Sequence, residues 1–191
     1  RQRYGLPSRL ASRLCGPATM SEATSNRAYL ALGSNISPET NLPAAAERLA
    51  DYGSVIRVST VWESRPVGDT NQANFLNAAM LLETPLSAEE LKGVAIAEIE
   101  QNLGRVRDPQ NKNAARTIDI DIALFNQDVL SVGENRIPDP EILTRPFLAV
   151  PLAELDPEYV HPTNGRTMRT IAEGLGDSSL IARADVRLSA C

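Results

Sequence analysis

The chain has 191 residues, a net charge of −5 and 42% hydrophobic residues, which predicts one globular domain with an ordinary core. The acidic balance argues against a general nucleic-acid or anionic-membrane binder, and no apolar run is long enough to span a membrane. The cysteines, Cys15 and Cys191, lie near opposite ends, so they indicate neither a disulfide framework nor a zinc site and favour a reducing compartment, the cytoplasm.

Residues 1–26 are predicted to be a disordered extension or a remnant of cloning. Arginines are spread there among serine, glycine and proline, the first acid is Glu22, and Met20 would serve as a native start. An organelle transit peptide is the alternative, because such peptides are rich in Arg and Ser and poor in acids. The domain itself is predicted over 27–175, and 176–191 is predicted to be a C-terminal tail that frays.

The first half of the domain reads as strand, helix, strand. Alternating residues predict a strand at 27–33, and a serine–proline–glutamate sequence predicts a helix with Ser37 as its N-cap. The helical spacing of apolar residues continues until Gly53, where glycine is expected to end the helix. β-Branched residues then predict a second strand over 54–62.

The second half repeats the pattern. A polar loop, a third strand, a second helix, another polar loop and a fourth strand are predicted at 64–74, 75–83, 87–103, 105–116 and 117–125. Ser87 and Glu90 have the spacing of a capping box, and Gly104 is expected to end that helix. The order β-α-β-β-α-β predicts an α+β, ferredoxin-like core. A C-terminal appendage follows, with a short strand at 128–130, a loop at 138–146 and helices at 151–155 and 167–175.

The fourth strand carries two aspartates. Its alternation places one set of side chains on one face and a second set on the other, namely Ile118, Ile120, Ile122 and Leu124 against Thr117, Asp119, Asp121 and Ala123. Asp119 and Asp121 therefore point the same way, and oxygen-only ligands at this distance suit a divalent ion such as Mg²⁺. Arg105, Arg107 and Arg116 precede the strand, and such a combination suits phosphoryl transfer. The alternative is an ordinary amphipathic strand with acids facing water, because a lone D-x-D has many false positives.

Five short segments, in order along the chain, carry a resemblance to a known family: Ala31-Leu32-Gly33-Ser34-Asn35, Phe75-Leu76-Asn77-Ala78-Ala79, Leu103-Gly104-Arg105-Val106-Arg107, Arg116-Thr117-Ile118-Asp119-Ile120-Asp121, and Arg145-Pro146-Phe147 before Val150-Pro151-Leu152. Together they resemble the 6-hydroxymethyl-7,8-dihydropterin pyrophosphokinases of folate biosynthesis. The resemblance covers about 27–175 and implies the same ferredoxin-like fold.

The resemblance implies an enzyme, a Mg²⁺-dependent diphosphotransferase. Its substrates would be ATP and 6-hydroxymethyl-7,8-dihydropterin, its products AMP and the pterin diphosphate, and its cofactor two Mg²⁺ ions that bind with ATP. Neither nucleic acid nor membrane is implied as a partner, and a cytoplasmic monomer or weak homodimer is expected.

The resemblance also implies roles for residues. Asp119 and Asp121 match the metal ligands, and Arg105 and Arg116 match the catalytic arginines. The ATP-binding positions are matched by Arg107, Ile122, Asp139 and Arg145, and the pterin-binding positions by Ser64, Val67, Phe75, Asn77, Asn113 and Phe147. Aromatic rings can sandwich a flat bicyclic ligand, and an Asn amide offers it both a donor and an acceptor.

Three positions depart from the family pattern. Asp139 stands where many members have a histidine, and it would alternatively be the N-cap before Pro140. Asn113 stands where many members carry an aromatic residue, and Phe75 where tyrosine is frequent.

Two other functions are alternatives. One is an RNA-recognition module, which the acidic charge and the aromatic-poor strands disfavour. The other is a two-metal phosphodiesterase, for which the sequence shows no further metal ligands.

Overall fold

A computed structural model describes residues 25–107, 110–111, 113–176 and 179–189. The prediction that 1–26 form a disordered extension therefore lies outside the described residues, except for the last two positions. None of the described helices is long and apolar enough to cross a membrane.

The strands are β1 (Asn26–Ser34), β2 (Ser54–Val58), β3 (Trp62–Ser64), β4 (Phe75–Thr84), β5 (Asp119–Phe125), β6 (Leu130–Val132), β7 (Asn135–Ile137) and β8 (Ile181–Ala182). The helices are α1 (Pro38–Leu49), α2 (88–102), α3 (Pro146–Leu155) and α4 (Met168–Leu175), with short 3₁₀ segments at Ala50–Tyr52 and Pro140–Leu143. The predicted loop at 138–146 thus contains a 3₁₀ turn, and the predicted helix at 151–155 begins earlier, at Pro146.

The main sheet is antiparallel, with the strand order β5-β1-β4-β3-β8. β2 also pairs with β4, next to the shorter stretch of β4 that pairs with β3. The order of elements from β1 to β5 confirms the predicted ferredoxin-like core. The single second strand predicted over 54–62 is wrong in detail, because it is two strands. Ser59 interrupts it: its Oγ accepts the Ala79 N–H at 2.8 Å, so a side chain replaces a backbone partner between β2 and β3.

Ser37 is the N-cap residue of α1 as predicted, but details at both ends of the helix differ from the prediction. Pro38 occupies the first turn as expected, but Ser37 has a φ of 46° and its side chain caps no backbone N–H. Gly53 does not end the helix in the left-handed region; it is extended and follows the 3₁₀ segment. It is glycine because a Cβ there would lie 2.2 Å from the Glu83 carbonyl oxygen of β4.

Helix α2 begins and ends as predicted. Ser87 Oγ accepts the Glu90 N–H and Glu90 Oε2 accepts the Ser87 N–H, which completes the capping box. Gly104, at a φ of 72°, follows the last turn. The helix is not uniform: a π-helical stretch, Leu91–Ile96, lies between the α-helical turns Ala88–Glu90 and Ala97–Asn102. π-Helical segments often lie at functional sites.

The sheet separates two apolar layers. One face, with Leu30 and Met80, packs against α1 and α2. The other face, with Tyr29 and Leu81, packs against α3 and α4. The protein therefore has two apolar cores, one on each face of the sheet, and both faces of the sheet are buried.

Strand β5 contains an irregularity that changes this pattern. Leu30 pairs with Ile122 whereas Tyr29 pairs with Leu124, so Ala123 is the extra residue of a bulge. The side chain of Leu124 therefore packs in the second layer, while Ile118, Ile120 and Ile122 pack in the first. The predicted placement of Leu124 with the three isoleucines is wrong for this reason.

The C-terminal segment is ordered over 179–189, so the prediction that 176–191 fray is wrong for this part. β8 pairs with β3, with Trp62 opposite Ala182 and Glu63 opposite Ile181. Further along, Val186 and Leu188 are buried in the first apolar layer. The segment thus covers the free edge of β3 and contributes to the core.

Candidate active site

A cavity of about 290 Å³ opens where the second face of the sheet extends beyond α3. Its floor is formed by the ends of β1, β4 and β5, and its walls by the loop between β3 and β4 and by the start of α3. Most of the predicted site residues line it, namely Ser64, Val67, Phe75, Asn77, Asn113, Arg116, Asp119, Asp121, Asp139, Arg145 and Phe147. The fold therefore brings together residues that are more than 80 positions apart in the sequence.

Asp119 is held by two arginines. It lies opposite Gly33 of β1, and its carboxylate bonds the Nη1 of Arg116 at 2.5 Å and lies 3.5 Å from the Nη2 of Arg105. All three side chains are at most 21% exposed, so their charges are weakly screened by water. The single negative charge of Asp119 thus lies beside two positive charges.

Asp121 is held by a lysine that no pattern in the sequence indicated. Lys92, on the π-helical stretch of α2, places its Nζ 2.8 Å from Asp121 Oδ1 and 2.7 Å from the Ile120 carbonyl oxygen. The Nδ2 of Asn135 lies 3.4 Å from the same Oδ1. No short motif links Lys92 to the aspartates, so only the packing of α2 against β5 could show the pair.

Arg116 is fixed by its backbone as well as by Asp119. Its N–H donates to Asn35 Oδ1 at 2.8 Å, and its carbonyl oxygen accepts the N–H groups of Asn35 and Ile36 at 3.1 Å each. Its guanidinium carbon lies 5.7 Å from the ring centroid of Phe75, within the range of a cation–π contact. The arginine is therefore placed between the carboxylate and the aromatic wall.

The aromatic wall is polar at one point. On β4, Phe75 and Asn77 face the cavity, and Asn77 Nδ2 donates to Ser64 Oγ of β3 at 2.9 Å. Phe147 enters from the first turn of α3. The site thus combines two aromatic rings with an oriented amide, which suits a flat heterocycle with hydrogen-bonding edges.

The two polar loops meet above this wall. Gln72 Nε2 donates to the Asn113 carbonyl oxygen at 2.8 Å, and a Cβ at Gly68 would lie 2.5 Å from Asn113 Nδ2. Asn35 Nδ2 donates to Gln72 Oε1 at 2.8 Å and so connects both loops to the end of β1. A side chain at Gly68 would displace the Asn113 amide, and the φ of 85° would strain any residue other than glycine at this position.

Three predicted site residues do not line the cavity: Arg105, Arg107 and Ile122. Arg105 contacts the site through Asp119, whereas Arg107 bonds the buried Glu100 at 2.7 Å. Glu100 Oε1 also accepts the Ile120 N–H, so this acid, to which the sequence assigned no role, ties Arg107 to the aspartate strand. Ile122 packs in the first apolar layer and borders a neighbouring cavity together with Asp121 and Asp139.

Asp139 is an N-cap that also lines the cavity. Its Oδ1 accepts the Glu141 N–H at 2.8 Å at the start of the 3₁₀ segment, as the alternative interpretation of this residue predicted. Burial raises the pKa of its carboxyl above the ordinary value, against the lowering effect of the bond from the Glu141 N–H, and the nearby charges of Asp121 and Glu141 also raise it.

The donor set fits a hard cation that is shared with a ligand. In the described part of the chain no group of three or more His, Cys, Asp or Glu is arranged to hold a metal ion. Asp119 and Asp121 could hold Mg²⁺ when phosphate oxygens complete its coordination, which is its common mode in enzymes. A phosphate would also find an available donor at the cavity, because the buried Nε of Arg145 has no hydrogen-bond partner within the described residues. The Nε of Arg105, which does not line the cavity, has none either.

Comparison with known proteins agrees with this geometry. The curated proteins named 2-amino-4-hydroxy-6-hydroxymethyldihydropteridine pyrophosphokinase include one from Aquifex aeolicus, 36% identical over 70% of this chain and 82% of that protein. Another, from Bacillus subtilis, is 40% identical over 68% of this chain and 78% of that protein.

Solved structures show the same fold. A Plasmodium falciparum HPPK-DHPS chain, solved with STZ-DHP, has a TM-score of 0.64 at 15% identity. The match covers 79% of this chain but only 43% of the solved chain, so this chain spans less than half of its length. The family profile of 7,8-dihydro-6-hydroxymethylpterin-pyrophosphokinase (HPPK) matches residues 29–157, which include the aspartate pair and the aromatic wall. The chain belongs to the 7,8-dihydro-6-hydroxymethylpterin-pyrophosphokinase family.

Proposed function

We propose that this chain transfers pyrophosphate from ATP to the hydroxymethyl group of 6-hydroxymethyl-7,8-dihydropterin, with Mg²⁺ as its cofactor. The products would be AMP and the pterin diphosphate, and the chain would act as a cytoplasmic monomer or weak homodimer. One observation carries the proposal: in a single cavity, two carboxylates that each face a cation lie beside two aromatic rings and a buried amide.

The aromatic wall would bind the acceptor. Phe75 and Phe147 offer flat apolar surfaces for the pterin ring, and Asn77 offers its amide to the ring edge. Ser64 orients that amide through its hydroxyl, so the amide is preorganised before the ligand arrives. In this arrangement the acceptor hydroxymethyl group would point toward the aspartate strand.

The cationic side of the cavity would bind the donor. Mg²⁺ bound with ATP would neutralise phosphate charge and polarise the phosphorus that is attacked. Two ions are proposed, held by Asp119 and Asp121, while Arg107, Arg145 and Asp139 would contact the nucleotide and Ile122 would border its base. Arg145, whose Nε lies 3.9 Å from Glu141 Oε1 and has no hydrogen-bond partner among the described residues, would donate this N–H to an incoming anion.

Arg116 and Arg105 would stabilise the charge that develops during transfer. Both guanidinium groups are already fixed against Asp119, so little reorganisation is needed. The only histidine of the chain, His161, does not line the cavity, and no imidazole is therefore available there as a general base. The two loops that meet at Gln72 and Asn113 would exclude water, which would otherwise compete with the pterin hydroxyl.

The test is direct. Purified protein incubated with ATP, Mg²⁺ and the hydroxymethyl-dihydropterin should form AMP, and omission of the pterin or chelation of Mg²⁺ should stop it. AMP formation that does not depend on the pterin, or ADP in place of AMP, would contradict the proposal.

A further inference from the structure

The C-terminal segment, which lies outside the family match that ends at residue 157, pairs with β3. Ser64 of β3 and Phe75 and Asn77 of the adjacent β4 form the side of the cavity that is proposed to bind the pterin, the pterin wall. The Arg183 N–H donates to the Val61 carbonyl oxygen at 2.8 Å, just beyond the β3–β8 pairing. Because Val186 and Leu188 are buried in the core, the backbone around Arg183 is anchored on both sides.

The Arg183 side chain joins three elements. Its Nη1 donates to Glu63 Oε2 of β3 at 3.0 Å, and its Nη2 lies 3.3 Å from Glu39 in the first turn of α1. Asp185 binds the guanidinium in a fork, with distances of 2.9 and 2.8 Å. The arginine is 24% exposed and Glu63 is 22% exposed, so this pair is better shielded from solvent than an ordinary surface ion pair.

Glu63 connects Arg183 to the 64–74 loop at the cavity. Its second oxygen, Oε1, accepts the Asn74 Nδ2–H at 2.8 Å. Glu63 and Asn74 stand at the two ends of the 64–74 loop, next to Ser64 and Phe75, which pair with each other across β3 and β4. The bonds from Asn74 and Arg183 hold the pKa of the Glu63 carboxyl below its usual value, so it stays charged at neutral pH.

We infer that Arg183 is a positioning residue for the pterin wall: through Glu63 and Asn74 it fixes the spacing of Ser64 and Phe75 and closes the base of the 64–74 loop. This inference rests on the proposed function. Arg183 does not line the cavity, and its effect would be confined to the acceptor side, because the aspartate strand β5 lies at the opposite edge of the sheet from β8.

Steady-state kinetics with each substrate varied separately test this inference. Arg183→Ala should raise the KM for the pterin by about tenfold, equivalent to about 1.4 kcal/mol, and leave the KM for ATP within about twofold. Arg183→Lys, which keeps a charge for Glu63, should recover most of the affinity. Asp185→Ala and Glu39→Ala are the matched controls, since each removes one partner of Arg183 but leaves the bond to Glu63, and neither should change the pterin KM.

A double-mutant cycle tests the route of the effect. If Arg183 acts through Glu63, the variant with both Arg183→Ala and Glu63→Ala should have the pterin KM of Glu63→Ala alone. Multiplying effects, equal losses for both substrates, or an unchanged pterin KM in Arg183→Ala would overturn the inference. A wild-type chain without pterin-dependent AMP formation would instead overturn the proposed function, so the two failures are distinguishable.

Discussion

The neutralisation of the two aspartates defines the site at the scale of single residues. Lys92 faces Asp121 and two arginines face Asp119, so removal of either carboxylate charge leaves the facing cations without that counter-charge. Asp119→Asn and Asp121→Asn keep the shape of the side chain and remove its charge. We expect each to lower pterin-dependent AMP formation by on the order of 10²–10³-fold or more, the cost of losing a preorganised electrostatic group.

Circular dichroism should show that both asparagine variants keep the wild-type fold. Glu158→Gln is the matched control, because Glu158 pairs with Arg169 at an exposed position outside the cavity. Near-normal turnover in either aspartate variant would contradict the metal-ligand assignment.

The amide on β4 yields a second prediction. Asn77 is 8% exposed, and its amide is oriented by Ser64. In Asn77→Ala, the polar edge of a bound pterin would therefore lose a buried hydrogen-bond partner. Pterin affinity should fall by about 1–3 kcal/mol, whereas ATP affinity should hardly change. Isothermal titration with each ligand measures both, and a loss of ATP affinity alone would mean that the pterin pocket is on the other side of the cavity.

The buried carboxyl of Asp139 yields a prediction on pH. Burial raises its folded-state pKa, so its contribution to the free energy of unfolding is fully present below the ordinary value of 3.8 and is lost as the pH rises through the raised pKa. Asp139→Asn keeps an acceptor for the Glu141 N–H and cannot ionise. Its melting temperature should therefore match the wild type below pH 3.8, exceed it as the pH rises through the raised pKa, and keep a constant excess above that pKa.

The Asp139→Ala variant separates the two effects, because it also loses the cap. It should be less stable than Asp139→Asn at every pH, by about 0.5–2 kcal/mol. A constant difference between wild type and Asp139→Asn across the pH range would show that the carboxyl does not titrate as proposed.

At the scale of elements, two glycines give opposite expectations. Gly93 lies in the π-helical stretch of α2 and a Cβ there would meet nothing within 4 Å, so Gly93→Ala should stabilise the protein by about 0.4–1 kcal/mol. Gly53→Ala would place a Cβ 2.2 Å from the backbone of β4 and should destabilise it by about 1–3 kcal/mol. Urea denaturation of both variants checks the pair, and Gly93→Ala becoming less stable would mean that the π-helical geometry needs glycine.

The elements also show how far the sequence could predict the fold. Some signals that lie within a few residues predicted correctly, as the capping box of Ser87 and Glu90 and the helix end at Gly104 show. Others did not, since Ser37 forms no side-chain cap and Gly53 does not end α1. Features that depend on a distant partner were missed. The split between β2 and β3 needs Ala79 as the partner of Ser59, and the bulge at Ala123 is visible only in its pairing with β1.

The same distinction applies to the candidate site. Asp119, Asp121 and the arginines before them stand close together in the sequence, and this combination suits a phosphate site, although an amphipathic strand with acids facing water is the alternative. Lys92 gives no such signal, because it reaches Asp121 only through the packing of α2 against β5. The roles of Phe75, Phe147 and Asn113 follow from the family resemblance, since an aromatic or amide residue alone is more often a packing or loop residue.

At the scale of the whole molecule, the C-terminal segment is part of the core. Leu188 is 7% exposed and contributes to the same apolar layer as α1 and α2. Leu188→Ala should lower the free energy of unfolding by about 2–5 kcal/mol, as for other buried leucines. Arg187→Ala, at the neighbouring exposed position, is the control and should change it by less than about 0.5 kcal/mol. Equal stability of the two variants in urea would contradict the burial of Leu188.

The position of β8 at the end of the sheet has a consequence for self-association. An uncovered strand edge offers unpaired N–H and C=O groups to any other chain with an extended segment. β8 uses those groups on β3, and its own outer edge is only two residues long, which is too short to template a further strand. A chain that ends before residue 179 would therefore expose the edge of β3 beside Trp62, and it should lose solubility in addition to the contacts of Arg183 and Leu188.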